Sequence, residues 1–446
     1  MLLPAAMRWK VSTRHLIRQI AAEISCATRY YDRLIQWLPH ASDRGELLEQ
    51  IECPRKQRLA QGEPFPDLSD EREERSAVLL YANFNYDYDI QGMLMELAPR
   101  LSRTTRLLAV CFNPYLGGVF RLARRLGLSE AETPTSFVTR SALVNIARLS
   151  GFEVVRERPA AWFPFRLLGL GTWLCKLVSL LPFARNFAAI DIVFLRRVVG
   201  GGEHPSLSVV IPARNEEGNI EPALARLPAI EGAKVEVIFV EGHSQDATWQ
   251  EIQRVCAKYA QRFECRSYQQ SGIGKADAVR LGLERASGEL CAILDADLTV
   301  PPEMLPRFYQ AWCHGHADFV NGSRLVYPME DRAMRGLNLL GNLFFAKVLS
   351  WIIGAPLSDV LCGTKLFARH DYARFRRWRE TFGERDPFGD FELLFPAALL
   401  GLGIVDVPIR YRERRFGTTQ IHRFRHGFEL LRMTFLAVRA VKLARL

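Results

Sequence analysis

Short apolar runs alternate with amphipathic stretches through the second half of the chain. The apolar runs are typical of buried strands, and the stretches between them have the spacing of helices that cover a sheet. The runs lie at Leu207–Ile211, Val235–Val240 and Leu290–Leu294, and a further short strand is expected near Cys265–Tyr268, third in order along the chain. Strands that alternate with helices in this way predict βαβ units and a mainly parallel sheet that is covered on both faces.

Polar loops follow three of these predicted strands. The segment "PARNEE" follows the first strand, "EGHSQD" follows the second, and "DADLT" follows the fourth. Ligands of parallel sheets bind beyond the carboxyl ends of the strands. We therefore expect the three loops to meet at one edge of the sheet and to face a crevice.

Asp295 and Asp297 follow the fourth strand directly and are separated by one alanine. Residues two apart in an extended chain point to the same side, so the two carboxylates can converge. Carboxylates that close raise each other's pKa unless a cation lies beside them. Their oxygens suit Mg²⁺ or Mn²⁺, and magnesium completes its shell with water and substrate phosphates. The pair predicts a metal–diphosphate site with both aspartates as metal ligands.

The phosphate-binding loops of other nucleotide enzymes are missing from the sequence. There is no GxxxxGK[ST] segment, which argues against a P-loop NTPase, and no GxGxxG follows a strand, which argues against hydride transfer. Nucleotidyltransferases usually open with a glycine-rich, basic loop, whereas the first loop here, "PARNEEGNI", is acidic.

Four segments in order resemble family 2 glycosyltransferases of the GT-A fold. They are "SVVIPARNEEGNI", "VEGHSQDAT", "GIGKADAVRLGLERASGE" and "AILDADLTVPPEML". Their order is most similar to that of dolichyl-phosphate mannosyltransferase and related polyprenyl-phosphate sugar transferases, and the resemblance extends from about Pro205 to about Arg425. It implies an α/β GT-A fold, which is Rossmann-like with a mainly parallel sheet and helices on both faces. It also implies an inverting, metal-dependent transfer from a nucleotide-diphosphate sugar, with polyprenyl phosphate as the favoured acceptor.

The resemblance implies roles for individual residues. The catalytic positions are Asp295, Asp297, Asp390 and Glu392, the last two to orient the acceptor or act as a base. The positions that bind the nucleotide-sugar are Pro212, Asn215, Glu216, Glu241, Lys275, Asp277 and Asp295. The positions that bind phosphate or acceptor are Arg324, Arg335, Asp359, Lys365 and Arg414, with Gly363 beside them. Relatives carry a second acid after the strand-end acid, where this chain has Gly242, so uracil and guanine both remain open as the base.

Charge and cysteine usage narrow the expected partners. The formal net charge is +10, and the chain from Asp406 to Leu446 has ten Lys/Arg against three Asp/Glu. Such an excess suits phosphates or a membrane surface, and no basic run with interleaved aromatics predicts nucleic-acid binding. The helical stretch from Arg425 has basic and apolar faces that suit a membrane interface, although docking on its own domain is the alternative.

Nine cysteines without a CxxC pair indicate a reduced, cytoplasmic compartment. We expect peripheral attachment at the cytoplasmic face.

A glycine-rich linker at Arg196–Ser208 divides the chain. The predicted parts are a helical segment at 1–75, a smaller α/β domain at 76–198, and the GT-A domain at 205–446 with its basic amphipathic helix. The middle part resembles the back half of class I S-adenosylmethionine methyltransferases, but no glycine-rich cofactor loop precedes it. We expect a degenerate domain with a structural or docking role, in which Asn83 and Asp87 are the positions to test. Other readings are transfer to a non-lipid acceptor, methyl transfer, or a non-catalytic membrane-docked scaffold.

Overall fold

The computed structural model describes residues 5–40, 43–118, 121, 134–162, 170–200, 204–327, 336–382, 386, 389–414, 416 and 423–443. The chain divides into two compact units. The first comprises Met1–Val199, Leu399–Gly401 and Val438–Leu446, and the second comprises Gly200–Ala398 and Leu402–Ala437.

The first unit is built on a six-stranded sheet. Its strands are β1 (Arg33–Gln36), β2 (Arg55–Arg58), β3 (Ser76–Tyr81), β4 (Arg106–Phe112), β5 (Phe152–Ala160) and β6 (Ile190–Arg197). Its helices are α1 (Ala5–Thr28), α2 (Glu46–Gln50), α3 (Asn83–Tyr86), α4 (Ile90–Leu97), α5 (Arg140–Leu149) and α6 (Leu170–Ser179). The strand order is β2-β1-β3-β4-β6-β5, in which β6 runs antiparallel to both of its neighbours and β1 to β4 are parallel.

Residues 1–75 differ from the helical segment that the sequence predicts, because they supply β1 and β2 to this sheet. Both strands have only four residues, and the residues of β2, "RKQR", are all exposed. Strands this short and this polar show no alternation of apolar and polar residues, so the pattern misses them. The likeness of residues 76–198 to methyltransferases stays a prediction.

The second unit contains a seven-stranded sheet. Its strands are β7 (Leu207–Ala213), β8 (Val235–Glu241), β9 (Glu264–Gln269), β10 (Leu290–Ile293), β11 (Phe319–Ser323), β12 (Lys365–Ala368) and β13 (Ile404–Pro408). Its helices are α7 (Glu217–Arg226), α8 (Thr248–Lys258), α9 (Lys275–Arg285), α10 (Leu305–Cys313), α11 (Gly336–Ile353), α12 (Arg369–Phe382), α13 (Phe391–Leu399) and α14 (Arg423–Ala437).

The strand order in this sheet is β13-β11-β12-β10-β7-β8-β9. Only β12 is antiparallel to its neighbours, and the other pairs are parallel. The apolar side chains of β7 and β8, among them Val209, Ile211, Val237 and Phe239, are fully buried because helices cover the sheet. The predicted α/β architecture with a mainly parallel sheet is confirmed for this half of the chain.

None of the helices in the described ranges combines the length and the apolar character that crossing a membrane requires.

Candidate active site

Three sharp turns place the polar loops at one edge of the second sheet. Strands β10, β7 and β8 are neighbours, so their carboxyl ends lie side by side. The chain turns there at Asn215 (φ 55°), His243 (φ 57°) and Leu298 (φ 56°), which all adopt the left-handed conformation. This conformation is costly for residues other than glycine and clusters at functional sites. The edge that the sequence predicts as a crevice is thus the place where the second unit concentrates backbone strain.

Asn215 joins two of these loops. Its backbone N–H donates to Ser244 Oγ at 3.0 Å, and its side-chain Oδ1 accepts from the backbone N–H of Gln245 at 2.8 Å. Ser244 in turn donates its backbone N–H to Glu241 Oε1 at 2.5 Å. Asn215 and Glu241, both expected to contact the nucleotide, therefore also fix the shape of the loops after β7 and β8.

Asp295 lies beside the first residue of α9. Lys275 Nζ is 2.5 Å from Asp295 Oδ1, and the two side chains are 37% and 21% exposed. Burial would raise the pKa of Asp295, but the charge of Lys275, followed by those of Lys365 and Arg324, lowers it below its ordinary value. Asp295 is therefore an anion at the edge of the sheet and can ligate a cation.

Asp297 and Glu216 are held by one arginine. Asp297 Oδ2 accepts from Arg414 Nη2 at 2.6 Å, and Arg414 Nη1 donates to Glu216 Oε1 at 3.1 Å. The other carboxylate oxygen of Asp297 accepts from the backbone N–H and the hydroxyl of Thr299, at 3.1 and 2.8 Å. Arg414, which the sequence assigns to phosphate binding, thus joins the loop after β7 to the loop after β10.

The environment of Glu216 pushes its pKa upward. Burial is the main cause, and it outweighs the hydrogen bond from Asn219 and the charge of Arg414, which lower the pKa. Asn219 Nδ2 donates to Glu216 Oε2 at 2.6 Å, and the backbone N–H of Glu216 donates to Thr248 Oγ1 at 2.9 Å. Asn219 and Arg414 thus both favour the charged form of Glu216 against the effect of its burial.

Gly363 lies against the pair of Asp295 and Lys275. A Cβ atom on this residue would approach Asp295 Oδ2 and Lys275 Nζ more closely than 3.0 Å, which real side chains do not do. Any larger residue must displace one of the two charged groups. Gly363 is therefore needed for the close approach of the chain to this ion pair.

Lys365 and Asp390 form a second, buried ion pair. Lys365 is fully buried, and its Nζ is 2.5 Å from Asp390 Oδ1 while it also donates to the carbonyl oxygen of Cys362. Asp390 was expected near the acceptor as an orienting group or base, and Lys365 as a phosphate ligand. The structure places them against each other, where each compensates the burial of the other.

Glu392, the other candidate base, lies between two arginines. It accepts from Arg280 Nε at 2.9 Å, and Arg379 Nη1 is 3.5 Å from its Oε2. Its backbone N–H donates to Asp386 Oδ2 at 3.0 Å. Both candidate bases are thus engaged by cations.

Arg324 and Asp359 form a third pair with two parallel bonds. Arg324 Nε and Nη2 donate to the two oxygens of Asp359 at 2.7 and 2.8 Å, and the side chain of Asp359 is fully buried. Burial would raise the pKa of Asp359, but the charge and hydrogen bonds of Arg324 lower it overall. The guanidinium also lies 5.4 Å from the ring centre of Tyr411. This bidentate geometry fixes Arg324 in a single orientation.

Three predicted site residues, Asp277, Pro212 and Arg335, lie outside the ion pairs described above or outside the described residues. Asp277 accepts from the backbone N–H of Gly272 at 3.1 Å and shapes the loop before α9. Pro212 lies in β7 opposite Val240. Arg335 falls outside the described residues. Thr299 and Asn219, which position Asp297 and Glu216, were missed because a single sequence carries no signal that such polar residues lie beside a distant acid.

The acid pair suits a small hard cation. Within the described ranges no group of three or more histidine, cysteine, aspartate or glutamate side chains is arranged to hold a metal. Mg²⁺ usually takes one or two protein carboxylates and leaves its other positions to water and phosphate oxygens. Asp295 and Asp297 meet that requirement, and Lys275 and Arg414 add positive charge next to them.

Comparison with known proteins gave matches in this half of the chain. Residues 208–377 match the model of the family described as "Glycosyl transferase family 2". A dolichyl-phosphate hexose transferase of Haloferax volcanii is 32% identical over 224 residues, which is 50% of this chain and 89% of that protein. A dolichol-phosphate mannosyltransferase of Pyrococcus furiosus is 36% identical over 121 residues, which is 27% of this chain and 33% of that protein.

A third relative and one solved structure are also similar to this chain. An undecaprenyl-phosphate 4-deoxy-4-formamido-L-arabinose transferase of Aeromonas hydrophila is 29% identical over 171 residues, which is 37% of this chain and 49% of that protein. The crystal structure of glucosyl-3-phosphoglycerate synthase from Mycobacterium tuberculosis is similar with a TM-score of 0.38 and 19% identity, covering 53% of this chain and 81% of that chain.

Proposed function

Since the chain belongs to glycosyl transferase family 2 and is a glycosyltransferase of the hexosyltransferase type, we propose that it transfers a hexosyl group from a nucleotide-diphosphate sugar to a polyprenyl phosphate. We further propose that the transfer inverts the anomeric carbon and requires Mg²⁺ or Mn²⁺. The observation that supports this most directly is the convergence of Asp295, Asp297, Lys275 and Arg414 at the carboxyl edge of the second sheet.

The residues at this edge have separate tasks in the proposal. Asp295 and Asp297 would hold the divalent cation, which when bound would supply positive charge beside the leaving diphosphate. Lys275 and Arg414 are placed to bind diphosphate oxygens, because both cations already lie next to these aspartates. Attack from the face opposite the diphosphate then inverts the configuration of the sugar.

The state of the two candidate bases supports a phosphate acceptor. A hydroxyl acceptor must lose a proton as it attacks and needs a base. A lipid phosphate oxygen is already anionic and needs cations that bring it close to the donor. Asp390 is bound to Lys365, and Glu392 is bound to Arg280, so both candidate bases are already engaged by cations. The three relatives are polyprenyl-phosphate sugar transferases by name, which agrees with this acceptor.

The test is a panel of UDP- and GDP-sugars incubated with the purified protein, Mg²⁺ or Mn²⁺, and either polyprenyl phosphate or no lipid. We expect a lipid-linked sugar that forms only with a cation and carries the inverted anomeric configuration by NMR. Consumption of the donor with non-lipid acceptors alone would keep the enzyme class and reject the acceptor. Retention of configuration would reject the mechanism.

Helix α14 supports the proposal that the enzyme attaches peripherally to the cytoplasmic face of a membrane. Leu430, Met433 and Ala437 are buried on one side of this helix. Phe428, Leu431 and Phe435 are 71%, 54% and 66% exposed on another, where Arg432 is also exposed. Helix α11 packs against α14 and leaves two further large apolar side chains exposed, Leu343 and Phe344. Exposed apolar residues with basic neighbours suit an anionic lipid surface.

Changing Phe428, Leu431 and Phe435 together to serine should lower binding to vesicles that contain phosphatidylglycerol by at least about tenfold, because each apolar side chain contributes on the order of 1 kcal/mol or more when buried in lipid. Vesicle co-sedimentation measures the change. The matched control replaces Tyr88 and Leu149, which are 87% and 68% exposed in the first unit, with serine. Equal loss in the control, or unchanged binding in the α14 variant, would contradict the proposal.

For the first unit we propose a structural or docking role rather than methyl transfer. Both Asn83 and Asp87 make hydrogen bonds within the first unit, Asn83 to a distant loop and Asp87 in a local turn. Asn83 Nδ2 donates to the carbonyl oxygen of Leu38 at 2.8 Å, and Asp87 Oδ1 accepts from the backbone N–H of Asp89 at 2.9 Å. Calorimetric titration with S-adenosylmethionine at millimolar concentration should give no binding heat, and a saturable signal would overturn this assignment.

A further inference from the structure

The strand-end acid Glu241 is followed by a residue that has no side chain. Residue 242 is a glycine, and the end of another side chain lies beside the space that its Cβ atom would enter. A Cβ atom at residue 242 would lie 3.4 Å from Gln270 Nε2. Gln270 directly follows β9, and its backbone N–H donates to the carbonyl oxygen of Glu241 at 3.0 Å. The carboxamide of Gln270 therefore lies over Gly242, between the ends of β8 and β9.

The carboxamide of Gln270 is buried, and its oxygen has no hydrogen-bond donor in the described part of the chain. The residue is 4% exposed. A buried amide oxygen that lacks a donor costs free energy, and such groups in native proteins call for an explanation such as a ligand or a water. Here the unsatisfied amide lies at the sheet edge where a nucleotide is proposed to bind.

Glu241 is less available than its position suggests. Its Oε1 accepts from the backbone N–H of Ser244 at 2.5 Å, and its Oε2 accepts from Gln269 Nε2 at 3.2 Å. Both carboxylate oxygens thus already hold neighbouring loops. The unsatisfied hydrogen-bonding group at this position belongs to Gln270, which offers one donor and one acceptor side by side in either orientation of the amide.

We propose that Gln270 recognises the base of the donor nucleotide and that the base is uracil, an inference that rests on the proposed function. A carboxamide pairs with a base edge on which an N–H and a C=O are adjacent. Uracil and guanine both present that edge. Guanine adds an amino donor that would need a further acceptor, and each oxygen of Glu241 already accepts one hydrogen bond from a neighbouring loop. Adenine and cytosine present a ring-nitrogen lone pair, which the negative charge of Glu241 disfavours.

Isothermal titration of the full chain with UDP, GDP and inorganic pyrophosphate, each with Mg²⁺, tests this assignment without any acceptor. We expect UDP to bind at least about tenfold more tightly than GDP. Gln270→Leu should weaken UDP binding by about tenfold to a hundredfold, because it leaves the base edge unmatched, and should change pyrophosphate binding by less than about twofold. The matched control is Gln253→Leu. Gln253 is an exposed residue of α8, and its Nε2 donates to Ser267 Oγ at 2.7 Å.

Gln270→Glu adds a readout that a purely structural role would not give. A carboxylate accepts two hydrogen bonds and donates none, so it loses the carbonyl of uracil and gains the two adjacent donors of guanine. The preference for UDP over GDP should therefore shrink or reverse. Unchanged UDP binding in Gln270→Leu, or an equal fall in pyrophosphate binding, would overturn the role of Gln270, and tighter binding of GDP by the unaltered chain would overturn the choice of base. Absence of sugar transfer alongside the expected binding pattern would overturn the proposed function alone.

Discussion

Replacing Asp297 with asparagine should lower the rate of sugar transfer by about a thousandfold, a loss on the scale of removing one group that stabilises developing charge. Asparagine has the same size, and its oxygen can still accept from Thr299. It lacks the negative charge that ligates a cation and that pairs with Arg414. Initial rates measured over a range of Mg²⁺ and Mn²⁺ concentrations should show the loss, together with a shift of the cation requirement to higher concentration.

Asp246→Asn is the matched control for this variant. Asp246 lies at the same edge of the sheet, and its Oδ1 accepts from the backbone N–H of Thr248 at 3.1 Å, just as Asp297 accepts from Thr299. Asparagine replaces aspartate well in such a turn before a helix, so the rate should stay within about twofold. Near-normal turnover by Asp297→Asn at every cation concentration would contradict a metal–diphosphate site at this edge.

The position of the acid pair could be predicted because local patterns determine it. The apolar runs of β7, β8 and β10 are long enough to indicate buried strands, and the carboxyl ends of neighbouring parallel strands meet at one edge. That rule alone brings Glu216, Glu241, Asp295 and Asp297 to the same side of the sheet. The antiparallel strand β12 was not predicted, since "KLFA" is only four residues long and no turn signal joins it to its neighbours.

The partners of these acids could not be predicted, because they come from distant parts of the chain. Arg414 is 117 residues from Asp297, and Arg324 is 35 residues from Asp359. No spacing rule connects such pairs, and only the packing of the fold brings them together. The sequence shows that an arginine is present, whereas the structure shows which acid it pairs with.

The burial of Lys365 illustrates the same limit. The segment "SDVLCGTKLFAR" resembles the acceptor-side segment of the family, and Lys365 was assigned to phosphate binding because of that likeness. In the fold the residue belongs to β12, where its side chain is fully buried and needs Asp390 as a counter-charge. Removing one member of such a pair leaves an unpaired buried charge, which is far more costly than losing a surface ion pair.

Replacing Gly363 with alanine should lower the rate of sugar transfer by about a hundredfold or more. The added methyl group would press on Asp295 Oδ2 and Lys275 Nζ, so at least one of these groups must move. Displacing a catalytic group by about 1 Å can cost about a hundredfold in rate. Because Asp295 is the proposed metal ligand, the requirement for Mg²⁺ or Mn²⁺ should change as well. Steady-state kinetics with the cation varied would measure both effects, and circular dichroism would confirm that the variant is folded.

Gly118→Ala separates this steric effect from the general effect of replacing a glycine. Among the residues that the structure describes, none lies within 4 Å of the position that its Cβ would occupy, and the residue is exposed in the first unit. Its stability should change by no more than about 0.5 kcal/mol, with unchanged kinetics. If Gly363→Ala were folded and retained both its rate and its cation requirement, the placement of Asp295 and Lys275 beside Gly363 would not matter for the chemistry. The carboxylates would then have to act from positions different from those that the fold gives them.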